Sequence, residues 1–182
     1  MKRYRIDPGR SHFTVQAFAG GLLSALAHSP TFAVRDFGGE LRLGETAESF
    51  ELDLTVDTES LELMDHVRDA DRRDIEGRMR GEVLETSLYR EVSYRGRAAQ
   101  ADAIGQGHYR LAIDGELSLH GVARPHRMEA ELIVFGDGLR LGGRDVLRMS
   151  EHRIRPVTAV GGTIKLKDGL TIAFDIAAVP EA

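Results

Sequence analysis

The chain alternates. Residues 50–56 read Phe50-Glu51-Leu52-Asp53-Leu54-Thr55-Val56, apolar at every even position. Tyr109, Leu111, Ile113, Gly115, Leu117 and Leu119 do the same at odd positions, with Arg110, Asp114, Glu116 and Ser118 between them. Met128, Ala130, Leu132 and Val134 form a third run, and Leu170, Ile172, Phe174 and Ile176 a fourth. A period of two puts one face against a core and the other in water, which predicts half-buried antiparallel strands over 49–58, 108–120, 126–135 and 170–177. Weaker alternation predicts strands near 11–19, 31–43, 91–99, 139–149 and 162–167. Asp137-Gly138, Gly142-Gly143, Gly161-Gly162 and Asp168-Gly169 read as turns, the last as the tight turn of a hairpin joining 162–167 to the strand after it. Twenty of 182 residues are glycine, above the roughly 7% of ordinary proteins, as suits a chain that turns often.

One segment breaks the alternation. Ile75, Met79 and Val83 recur at helical spacing between Asp69 and Glu85, with Asp69, Asp71 and Asp74 in the first turn where a helix dipole favours negative charge. Gly77 and Gly81 weaken this helix by about 1 kcal/mol each relative to alanine, so it depends on docking. The expected fold is all-β: an eight-stranded antiparallel barrel with one short helix at about 69–85, forming a single domain over 1–182. Its inner face is almost wholly aliphatic. Such walls either fill a barrel or line an oily cavity, and the pattern leaves both open.

Composition removes several functions. Cysteine is absent, and with it disulfides, thiol catalysis and thiolate metal sites. The formal charge of −5 with interspersed signs is not the basic footprint of a nucleic-acid binder. The most apolar stretch, Ala17 to Ala27, is far short of the roughly 20 residues that span a bilayer, so no membrane span is expected. Lys2 and Arg3 are not followed by an apolar segment of the secretory type, which points to a cytoplasmic protein. A barrel closes its own edges, so no protein partner is demanded, and a homodimer stays open as an oligomeric state.

Seven histidines are scattered: His12, His28, His66, His108, His120, His126 and His152. His120 and His126 flank one turn and could share a metal. But the alternation sends His120 outward with the polar set, and no compact ligand motif occurs, so neither metal nor cofactor is expected. Ser11-His12, His28-Ser29 and Ser150-Glu151-His152 are neighbours in sequence only, and no Gly-x-Ser-x-Gly elbow is present. No catalytic residue is assigned.

Four stretches together are similar to the YceI family of lipocalin-like barrels. They are Tyr4-Arg-Ile-Asp7-Pro-Gly-Arg-Ser11; Asp71-Arg-Arg-Asp-Ile-Glu76 with Met79 and Val83-Leu84-Glu85; Tyr89-Arg-Glu-Val-Ser-Tyr94; and Gly115-Glu-Leu-Ser-Leu-His120-Gly-Val-Ala-Arg-Pro125, the most specific of them. The resemblance runs from about 4 to 178. It implies an elongated barrel with a helical lid and a deep apolar tunnel for an isoprenoid or other long-chain amphiphile, in a carrier and not an enzyme. The chain departs from the family where Arg10 stands in place of a common histidine and where Arg90 stands in place of a common proline, and its first residues predict no leader of the kind exported members carry.

The leading expectation is therefore non-enzymatic transport or storage of an amphiphile. Its cavity would be lined by Phe13, Val15, Phe50, Leu52, Leu54, Val56, Leu111, Ile113, Leu117, Leu119, Leu132, Val134, Ile172 and Phe174. Leu22, Leu23 and Leu26, with the stripe Ile75, Met79 and Val83, would either rim its portal as a lid or plug a barrel end as core. Two alternatives stand beside it: a hydrolase on a lipid or small ester with His28 or His12 as base, and a solid barrel with a structural or interaction role.

Overall fold

A computed structural model describes residues 1–20, 29–155, 157–159 and 164–181. The strands are β1 (Lys2–Ile6), β2 (His12–Gln16), β3 (Ala19–Gly20), β4 (Thr31–Val34), β5 (Phe37–Leu43), β6 (Glu51–Asp57), β7 (Leu61–Leu63), β8 (Glu91–Gly105), β9 (His108–Leu119), β10 (Val122–Phe135), β11 (Gly138–Arg148), β12 (Thr158–Ala159), β13 (Ile164–Leu166) and β14 (Gly169–Pro180). Helix α1 (Asp69–Arg78) runs into a π-helical turn at Met79–Val83.

Eight strands close a ring in the order β1-β5-β6-β8-β9-β10-β11-β14, all neighbours antiparallel, with β14 pairing back to β1. This is the eight-stranded antiparallel barrel expected from the alternation. The four clean runs are strands with the expected parity: Leu52, Leu111, Ile113, Leu117, Leu119, Leu132 and Ile176 are buried, while Asp114, Glu116, Glu129 and Glu131 are exposed.

The weaker expectations fared unevenly. The segment 31–43 divides at Arg35-Asp36: β4 joins β2 and β7, whereas β5 turns to β1 and β6. The short strands β1 and β7 carried too few alternating residues to be predicted. The hairpin through Asp168-Gly169 does not form. Both edges of β14 are taken, one by β11 and the other by β2 and then β1, so β13 pairs instead with β3 and β12 in a separate small sheet. Asp168 closes the turn after β11: its carboxylate accepts from the Ser150 amide and hydroxyl, both at 2.7 Å, and these bonds hold its pKa below the usual carboxylate value.

Helix α1 docks through polar groups as well as its apolar stripe. Met79 is buried, and Ile75 and Val83 pack half-buried against the core. Glu76 accepts from the Leu63 amide at 3.0 Å, Arg72 donates to the Leu63 carbonyl, and Arg80 donates to the Leu61 carbonyl at 3.1 Å. These side chains satisfy the edge of β7 that no strand covers, as an exposed edge requires.

On the outer wall Arg140 grips Asp175 with two hydrogen bonds of 2.6 Å, and this holds the Asp175 carboxyl below its ordinary pKa. Both side chains are more than two-fifths exposed, so solvent screening keeps the pair's contribution to stability small. A depressed carboxyl stabilises the fold above its unfolded pKa of about 3.9, and that contribution is lost as pH falls through the folded value. Asp175→Asn should therefore lower stability slightly at pH 7, and urea unfolding of wild type and variant should converge in acid.

Candidate functional site

The barrel interior is packed at one end and hollow at the other. Residues toward the β8–β9 and β10–β11 turns are close-packed: Leu41, Phe50, Leu111, Ile113, Leu132, Leu139 and Leu141 have no exposed surface. Residues toward the β9–β10 turn surround a cavity of about 140 Å³, set in an atom-free envelope of about 1020 Å³ that includes its mouth. At that volume the space is large enough for several water molecules, and its almost wholly apolar wall suits an apolar ligand.

Three inward-facing glycines lie where packing gives way to cavity. A Cβ at Gly115 would stand 2.5 Å from both the Tyr94 ring and the Arg95 carbonyl oxygen, and one at Gly96 2.8 Å from the Tyr94 ring. A Cβ at Gly143 would stand 2.6 Å from the Phe174 ring. The glycines let these two rings lie flat across the strands and floor the cavity. Phe13 meets Phe174 edge-on at 6.5 Å and Phe37 at 5.6 Å, extending the aromatic layer.

The lining comes from many elements. From the expected set it includes Phe13, Val15, Leu52, Leu54, Val56, Leu117, Leu119, Ile172 and Phe174. Phe50, Leu111, Ile113 and Leu132 face inward but belong to the packed end, and Val134 packs half-buried against the core without bordering the cavity. Period two tells which face a side chain takes, not its height along the barrel axis. Ile75, Met79 and Val83 do not border the cavity either. Leu84, just after the π-helical turn, does. Leu22, Leu23, Leu26 and His28 lie outside the described residues.

Among the described residues, all the lining is apolar except Thr58, Tyr94, His126 and Asp145. His126 Nε2 contacts Asp145 Oδ2, and the Asp145 Oδ1 accepts from the Val146 amide at 2.8 Å. The Tyr94 hydroxyl reaches the His126 carbonyl at 3.1 Å and the Ile113 carbonyl at 3.3 Å. Burial, with the charges of Asp145 and Asp114, pushes the Tyr94 hydroxyl pKa well up, so it stays protonated. Sequence reasoning passed over this cluster. The available signal was parity: His126 shares the register of Met128 and Ala130, and Asp145 that of Leu141 and Leu147, so both are polar residues at inward positions.

The other histidines do different work. His120, expected outside, is only 8% exposed. Its backbone is left-handed, with φ of 52°, which turns its ring under Tyr89 at 4.1 Å and onto Glu85 at 2.8 Å. His152 is buried, with Nδ1 3.2 Å from the Val122 carbonyl, while its neighbour Ser150 is held by Asp168. Ser11 donates to the Asp7 carbonyl and accepts from the Ala177 amide, stitching the kink between β1 and β2 to β14, while His12 is exposed. None of these serines is paired with a histidine. Among the described residues, no group of three or more histidine or acidic side chains could hold a metal ion, and no helix is long and apolar enough to cross a membrane.

A family model described as a YceI-like domain matches residues 4–178. The chain belongs to the YceI family. Comparison with curated proteins finds no match. Solved structures with the YceI fold superpose over most of the chain. Burkholderia cenocepacia BcnA has a TM-score of 0.71 at 14% identity, covering 96% of this chain and 99% of its own. A polyisoprenoid binding domain from Saccharophagus degradans, implicated in plant cell wall breakdown, has a TM-score of 0.71 at 14% identity with both chains covered in full. The Campylobacter jejuni YCEI protein has a TM-score of 0.59 at 11% identity, covering 82% and 83%. At these identities the likeness is one of fold. It establishes the lipocalin-like YceI barrel.

Proposed function

We propose that this protein binds and carries a long-chain isoprenoid or similar amphiphile, with the chain as one unit and no catalytic step. The apolar cavity above the Tyr94–Phe174 floor carries the reading. Burial of apolar surface contributes roughly 25 cal/mol per Å², so a tail threaded among Leu52, Leu54, Leu117 and Ile172 binds without many directional contacts. The polyisoprenoid binding named for the Saccharophagus degradans domain supports the ligand class. The hydrolase alternative gains no support from Ser11 or Ser150, each engaged elsewhere.

Organic extraction of the purified protein and mass spectrometry of the extract test the proposal. A co-purified amphiphile is expected, and the loaded form should be more stable than the stripped form by about 2.7 kcal/mol at a free ligand concentration 100 times Kd. An empty extract, together with no shift in melting on adding long-chain isoprenoids, would remove the carrier function.

A further inference from the structure

We infer that the cavity selects an amphiphile whose head is neutral and donates a hydrogen bond, a hydroxyl or amide N–H, and that Asp145, His126 and Tyr94 receive it. This rests on the carrier reading above and adds what that reading leaves open, the chemistry of the head group.

The inference follows from counting hydrogen-bonding capacity. His126 Nε2 faces a carboxylate, so in the neutral ring that nitrogen carries the proton and Nδ1 is left as an acceptor. Among the described residues, the hydrogen bond that the His126 ring makes is the one through Nε2. The Asp145 carboxylate has about four acceptor positions and uses two, one on His126 and one on the Val146 amide. The Tyr94 proton points at the carbonyl of His126 or Ile113, leaving its oxygen lone pair. Thr58 spends its proton on the carbonyl of Tyr89 or Arg90. With the ring neutral, what remains toward the cavity is a set of acceptors with no spare donor.

The charges point the same way. Among the described residues neither lysine nor arginine lines the cavity, and Asp145 brings a carboxylate to it. An anionic head would meet that carboxylate in an apolar space where repulsion is weakly screened. A head with acceptors only, an ether or a ketone, would bring lone pairs to lone pairs. A hydroxyl satisfies the site and is itself satisfied, as buried polar groups require. The pair also stands where β10 and β11 part: their paired residues end at Glu131 and Gly142, and the His126–Asp145 contact bridges the strands beyond that point.

Three probes with one tail separate the possibilities: geranylgeraniol, its methyl ether and geranylgeranyl phosphate, each displacing a fluorescent amphiphile from stripped protein. Wild type should bind the alcohol about tenfold or more tighter than either of the others. His126→Phe should shrink the advantage of alcohol over ether to about threefold or less, and Asp145→Asn should raise phosphate binding relative to alcohol about tenfold. Melting curves establish that each variant is folded, and the wild-type series decides the question if one is not. Equal binding of all three heads, or tighter binding of ether or phosphate, overturns the head-group assignment and leaves the carrier function standing. Binding of none overturns both.

Discussion

Leu117→Trp is expected to weaken amphiphile binding about 100-fold or more, the loss of about 2.7 kcal/mol, while the ligand-free protein keeps its stability to within about 1 kcal/mol. Leu117 lies on the inner face of β9, opposite Tyr94 of β8, and borders the cavity. An indole there occupies space that a tail needs. In a filled core the same enlargement strains its neighbours by about 1–3 kcal/mol. At the cavity the added volume enters a void, and the strain is largely avoided. Displacement titrations and urea unfolding of stripped wild type and variant check the two halves of the expectation. A variant that unfolds well below stripped wild type would mean that the void does not accept side-chain volume, and the cavity would lose its standing as the site of the tail.

Leu132→Ala should do the reverse. Leu132 has no exposed surface and sits in the packed end, beside Leu141 on β11 and Tyr109 on β9. Truncating it removes buried methyl groups and leaves a hole that surrounding strands cannot close, a loss of about 2–5 kcal/mol. Binding by the folded fraction should be unchanged, because the side chain does not border the cavity. Denaturant midpoints and displacement titrations at a temperature where the variant is folded measure both. A binding loss matching the stability loss would show that the two ends of the barrel are not separable.

The parity of the long strands was legible because β9 and β10 keep one face in water and one in the core over many residues, and β6 and β14 alternate large apolar with polar or small side chains. Height along the axis was not, and so Phe50, Leu111, Ile113 and Leu132 were grouped with cavity residues although they fill the far end. That distinction depends on barrel shear, a long-range property that no local pattern encodes. His126 and Asp145 were readable in hindsight as polar residues in apolar register. The alternation from Met128 to Val134 was followed downstream but not carried back to His126. Pairing partners were the least legible: Asp168-Gly169 has the chemistry of a hairpin turn, yet competition for the edges of β14 decides the outcome.

The ring closes where Tyr4 stands opposite Pro180. The last strand pairs with β1, β2 and β11, so three neighbours wait for it. A chain emerging from the ribosome can form the meander from β8 to β11 early, since those strands are joined by short turns. It cannot seal the barrel until β14 has been made. Loop closure over almost the whole chain places this protein among slow folders, on the millisecond-to-second scale. In that interval β1 and β11 present open edges and the oily inner wall faces solvent, the condition in which chains associate wrongly. Folding of this barrel is a race in which β14 sets the finish.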